Sequence, residues 1–89
     1  MNRELLFHFF ECYFHQDWRD DYSSSFEALR DFCCLEPERK AELRESFNDL
    51  LEQDALSENF INEFGGSFKT EREGLTANEW LKKAISDLK

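Results

Sequence analysis

One proline and three glycines in 89 residues leave this chain short of turn-formers. That scarcity counts against a strand-rich sandwich or barrel, whose many tight connections draw on those two residues. Nor does any run of strictly alternating apolar and polar residues reach the length of a strand. Cysteine is sparse and poorly spaced: Cys12, Cys33 and Cys34 are odd in number, two are adjacent, and no CxxC occurs. Neither a disulfide framework nor a zinc ribbon is supported. No apolar run approaches the ~20 residues that cross a bilayer. The opening MNRELLFHFF has an acid inside its short apolar run and lacks a small-residue cleavage site, so no signal peptide is expected. Bases are scarce as well, 11 Lys and Arg against 20 Asp and Glu, for a net charge of −9. Direct binding to nucleic acid needs a basic surface to neutralise phosphate, and anionic membranes make the same demand. The expectation is a soluble, cytoplasmic, reduced protein that engages neither.

Aromatic carbon is what the chain has in quantity: ten Phe, two Trp and two Tyr. A chain of this length buries only roughly 60 to 65% of the surface its unfolded form exposes. Its core must be dense, and each buried aromatic removes on the order of 150 to 250 Å² from water. The length corresponds to one domain spanning residues 1–89.

Apolar residues recur at helical spacing in five segments, which predicts an all-α bundle of about five helices. The first, about Arg3 to Phe14, carries Leu5, Leu6, Phe7, Phe9, Phe10, Cys12, Tyr13 and Phe14 on an arc wider than half the helical wheel. It is too apolar for a surface helix and is expected at the centre. Ser24 with Glu27 predicts a capping box for a second helix, about Ser25 to Leu35, on which Phe26, Leu29, Phe32 and Cys33 share a face. Cys34 falls near the polar edge of that helix. Pro37 suits the first position of a third helix running to about Gln53, with Leu43, Phe47, Leu50 and Leu51 as its buried stripe. Ser57 is expected to cap a short fourth helix bearing Phe60, Ile61 and Phe64, which Gly65 and Gly66 stop. After a loop over 65–75, Thr76 with Glu79 predicts a second capping box before the stripe of Trp80, Leu81, Ala84, Ile85 and Leu88.

Three groupings carry chemical interest. Glu4, His8, Glu11 and His15 are spaced 4, 3 and 4 on the polar face of the first helix, with Cys12 at its edge. Two imidazoles, carboxylates and a thiol are zinc ligand types. The same pattern is an ordinary solvated face, however, and one helix cannot supply a fourth ligand and supporting shell, so no metal or other cofactor is expected. Cys12, His15 and Asp17 lie too close along one backbone to divide the roles of nucleophile, base and orienter, and no Gly-rich phosphate loop, nucleophile elbow or HExxH is present. The third grouping is a row of acids on the third helix: Glu38, Glu42, Glu45, Asp49 and Glu52, spaced 4, 3, 4 and 3. At 100° per residue they fall within about 80° of arc and extend roughly 21 Å along the axis. Like charges one turn apart destabilise a helix by about 0.2 to 0.5 kcal/mol per pair, so helix stability does not explain the row. A solvated acidic face and a surface for a basic partner are both consistent with it. The overall imbalance has the same location: residues 1–63 hold 16 acids and 6 bases, and residues 64–89 hold 4 acids and 5 bases. A charged partner is therefore expected to be basic and to meet the first two-thirds of the chain.

Two stretches carry a family resemblance. YFHQDW, Tyr13 to Trp18, is followed by an acidic spacer and an amphipathic helix, and GLTANEWLKKAISDL closes the chain. Together they resemble the small all-helical immunity proteins of bacterial contact-dependent growth inhibition, the CdiI family. The likeness covers most of the chain; in the second stretch it rests on Glu79, Trp80 and Leu81, and the middle third matches in helical pattern and acidity. It implies a cytoplasmic binding protein without catalytic activity, which neutralises the toxic C-terminal domain, often a nuclease, of an effector delivered by neighbouring bacteria. On that reading Glu38, Glu42, Glu45, Asp49 and Glu52 face the basic cleft of the toxin. Which toxin it meets is a matter of variable surface residues. The alternative reading is an acidic intracellular adaptor or nucleic-acid mimic acting on another basic protein. Within YFHQDW the expectation is architectural. Tyr13 and Phe14 close the apolar arc, His15, Gln16 and Asp17 satisfy backbone groups where the helix ends, and Trp18 finds a partner for its indole N–H in the turn.

Overall fold

Helix begins where the apolar periodicity begins, at the third residue. A computed structural model describes residues 2–53 and 56–88. It contains six α-helices: α1 (Arg3–Tyr13), α2 (Trp18–Asp21), α3 (Ser25–Leu35), α4 (Lys40–Leu51), α5 (Phe60–Glu63) and α6 (Ala77–Asp87). Two 3₁₀ turns, Pro37–Arg39 and Thr70–Glu73, complete the regular structure, and no strand occurs among the described residues. The protein is all-α, as the spacing predicts. The sixth helix is α2, a single turn closed by Tyr22 N donating to Trp18 O, in a segment whose apolar spacing is too short to register. Pro37 opens a 3₁₀ turn rather than the α-helix itself: Arg39 N bonds Glu36 O three residues back, and α-geometry starts only at Lys40.

The helix ends show which sequence signals act locally. Asn2 Oδ1 accepts from Leu5 N at 3.0 Å and starts α1. Thr76 and Glu79 exchange both bonds of a capping box at 3.1 and 3.0 Å. Only half of the expected box forms at α3: Ser24 Oγ accepts from Glu27 N, whereas the Glu27 carboxylate turns to the backbone N–H and hydroxyl of Ser23. Ser57 accepts from Asn59 N and so shapes the turn before α5, whose cap position is Asn59. Gly65 takes φ +91°, a left-handed conformation that ends α5, and Gly66 N returns to Ile61 O. Two caps come from far along the chain. Glu73 accepts from Ser25 N at the start of α3, and Glu58 accepts from Ala77 N at the start of α6.

Packing joins α1 to α3 and α4, and α4 to α6. Phe9 and Phe10 of α1 reach Phe32 on α3, Phe47 on α4, Phe60 on α5 and Trp80 on α6, with ring centroids 5.2 to 6.2 Å apart. Trp80 is the second focus: it is fully buried and meets Phe14, Phe26, Phe47 and Phe68 as well. Its indole N–H donates to Ser25 Oγ at 2.9 Å, and Ser25 Oγ donates onward to Glu73. Ser25 is wholly buried, so this chain of bonds lets polar atoms sit inside an aromatic core without an unmet partner. Two members of the predicted α1 arc lie at its margin instead. Cys12 is exposed, and Phe7 is 37% exposed although its ring meets Phe64 edge-on.

Candidate functional site

The acidic row acquires a shape through α1. Asn2 N donates to Ser46 Oγ at 3.1 Å, tying the first residue before α1 to the middle of α4. Ser46 is 1% exposed and stands between Leu43 and Leu50 on the buried stripe. That bond brings Glu4 alongside the exposed side of α4. The two helices enclose a groove of about 890 Å³ lined by Glu4, Glu42, Glu45, Asp49 and Glu52, with Arg3, Asn2, Ser46 and Asn48 completing the wall. Among the described lining residues, five carry carboxylates and one, Arg3, a guanidinium. Even that cation is shared, since the Arg3 guanidinium stands 5.5 Å above the Phe64 ring.

Four of the five row residues line the groove. Glu38 does not: it sits on the 3₁₀ turn before α4, where the tighter winding departs from the 100° step assumed for the row. Arg39 on the same turn reaches Glu42 at 3.5 Å, an exposed pair of small energetic consequence. Glu42, Glu45 and Glu52 are exposed and Asp49 is half-buried. Sequence reasoning places Glu4 on the polar face of the first helix but has no means of seating it beside α4. The available signal is Ser46, a small polar residue at stripe spacing that needs a partner from another element.

The YFHQDW residues divide by side. Tyr13, Phe14 and Trp18 are buried; Gln16 and Asp17 are exposed and His15 is half-buried. Trp18 donates its indole N–H to Ser67 O at 3.3 Å, while Ser67 N donates to Phe14 O at 2.7 Å. The partner of the indole thus comes from the loop after α5 rather than from the local turn. His15 Nδ1 accepts from Asp17 N, and its Nε2 lies 3.3 Å from Asp21. Tyr13 donates to Glu36, the residue that caps the C-terminus of α3. Burial, then the bond to Glu36, pushes the Tyr13 phenol well above its usual range, so it remains a donor. The Glu36 carboxyl is pushed up by burial, but hydrogen bonds from His8 and Tyr13 and the charges of His8 and Arg39 outweigh that and leave it below the usual range.

The polar-face grouping on α1 is dispersed. His8 pairs with Glu36, His15 with Asp21, and Glu4 lines the groove. Cys12 meets His8, not His15 and Asp17. No group of three or more His, Cys, Asp or Glu able to hold a metal ion occurs among the described residues. No helix among them is long and apolar enough to cross a membrane.

A family model described as CdiI immunity protein matches residues 2–88, nearly the whole chain. The chain belongs to the CdiI immunity proteins. Among curated proteins and among solved structures, nothing matches it. As a CdiI immunity protein it serves toxin neutralisation in contact-dependent growth inhibition.

Proposed function

We propose that this CdiI protein neutralises the C-terminal toxin domain of its cognate effector in the cytoplasm by direct binding, and that the acidic groove of α4 and α1 meets a basic face of that domain. One observation carries the reading: Glu4, Glu42, Glu45, Asp49 and Glu52 arrive from two helices in one concave surface. Gathering like charges opposes folding, so their placement is best explained by a partner that supplies the opposite charge. A nuclease fits, because its substrate cleft must carry positive charge to hold phosphate. Occupying that cleft with carboxylates raises the association rate and rejects partners of the wrong sign.

Replacing Glu42, Glu45 and Glu52 together by Lys tests the groove. All three are exposed and point away from Leu43, Phe47 and Leu50, so helicity and melting temperature should stay near those of the parent. Affinity for the C-terminal toxin domain of the cognate effector should fall by roughly 30-fold or more, the effect of losing even one desolvated charge pair of about 2 kcal/mol. A matched reversal on α6, Lys82 and Lys83 to Glu, should weaken binding far less. If the α6 reversal abolishes binding and protection while the groove reversal leaves both intact, the toxin is met elsewhere.

A further inference from the structure

Away from the groove, two side chains of α1 converge on one carboxylate at the C-terminal cap of α3. Glu36 Oε2 accepts from Tyr13 Oη at 3.0 Å, and its two oxygens lie 2.9 and 3.1 Å from His8 Nε2. An ionised carboxylate only accepts, so His8 presents Nε2 as the N–H donor. The form of His8 that can act as a base is the neutral one, whose single ring proton then sits on Nε2 and whose Nδ1 keeps its lone pair; the charge that lowers Glu36 belongs to the protonated form. Cys12 Sγ, one helical turn on, lies 3.6 Å from that Nδ1. Thiol, imidazole and carboxylate stand in series, the order in which a nucleophile, a base and an orienting group work together. The orienter is itself held, because buried Tyr13 donates to it from the same helix.

We propose that Cys12 is a reactive thiol, assisted by His8 and positioned through Glu36, that undergoes exchange with low-molecular-weight disulfides. His8 Nδ1 takes the Cys12 proton, and the thiolate attacks one sulfur of the disulfide. A new S–S bond forms at Cys12 as the old one breaks, and the departing thiolate takes the proton from His8. Cys12 is oxidised and the leaving sulfur reduced, so no other oxidant enters. A disulfide is the fitting electrophile because exchange requires only an open line of approach to the thiolate, which exposed Cys12 offers. Acyl transfer would need backbone donors aimed at a developing oxyanion as well. The other two thiols differ in kind. Cys33 is half-buried and burial pushes its thiol up, while Cys34 is exposed and serves as an internal reference. Cys12 is not among the residues lining the acidic groove, so the inference does not depend on where the toxin binds.

Mass mapping of the intact protein during reaction with oxidised glutathione tests this, with Cys12 and Cys34 followed in the same molecule. Cys12 should form its mixed disulfide roughly ten-fold or more faster than Cys34, the lower part of the range for positioned acid–base assistance being about 100-fold. In His8→Gln, where an amide can still bond Glu36 but accepts no proton, Cys12 should slow to the rate of Cys34. Glu36→Gln should give an intermediate Cys12 rate. The Cys34 rate should be the same in all three proteins, which separates lost assistance from general loosening. Equal rates at Cys12 and Cys34 in the parent would overturn the proposal without recourse to any variant. An unchanged ratio in a folded His8→Gln protein would overturn it too.

Discussion

Trp18 bridges parts of the chain 49 residues apart: its ring packs on Phe14 and Phe68, and its N–H reaches Ser67 O. It is 3% exposed, and removing its ring leaves a cavity and an unpaired carbonyl. Trp18→Ala should lower unfolding free energy by about 3 to 5 kcal/mol, measured by denaturant titration. A variant that melts like the parent yet fails to bind toxin would move Trp18 from architecture to interface. Glu36 makes a pH-dependent contribution of known sign. Its native carboxyl lies below the ordinary value, which is about 4.3 for an unfolded glutamate. The unfolded chain therefore takes up the proton first on acidification. The stability it supplies is complete above that ordinary value and is lost as pH falls through the lower native one. Glu36→Gln should flatten this part of the acid-unfolding curve and leave a shallower decline than in the parent.

Helix ends in this protein draw on two kinds of cap, and the difference should be measurable. Thr76 with Glu79 is a local device within one turn of α6, and Thr76→Ala should lower stability by about 1 kcal/mol. Glu73 caps α3 from 48 residues away and also accepts from the buried Ser25 hydroxyl that holds Trp80. Glu73→Ala removes the carboxylate acceptor of two donors on buried Ser25 and should lower stability by about 1.5 to 3 kcal/mol. Thermal melts of the two variants side by side provide the comparison. Should Glu73→Ala be the milder change, water replaces the carboxylate adequately and the network does not organise the core.

Across the whole molecule the charge is separated from the aromatic interior. The rings of α1 meet those of α3, α4, α5 and α6, and the α4 carboxylates look outward. Attraction spread over such a surface acts before contact is made and is screened over about 8 Å at physiological salt. Association with a basic toxin domain should accordingly slow as ionic strength rises, while dissociation changes less. Stopped-flow measurement across a salt series checks this. A salt-insensitive association rate would remove the groove's steering role.

By itself the sequence determined the helical class, the approximate extent of the longer helices and most of the core. Those depend on 3.6-residue periodicity and on neighbours in the chain, as Thr76 with Glu79 and the Gly65 stop illustrate. The acidic row could be read the same way, since Glu42, Glu45 and Asp49 lie on α4 and Glu52 is its C-terminal cap. YFHQDW and the C-terminal stretch also carried the family resemblance, and the family match extends over residues 2–88. Tertiary structure alone decided that Glu4 joins the row, through Asn2 and Ser46, and that His8 reaches Glu36 at the end of another helix. It likewise brought Ser67 to Trp18, Glu73 to Ser25 and Glu58 to Ala77. Periodicity records which face of a helix is buried but not which helix covers it. Partners separated by 19 to 55 residues are chosen by how the aromatic rings pack, and the hydrogen bonds then form between the polar groups that this packing brings within reach.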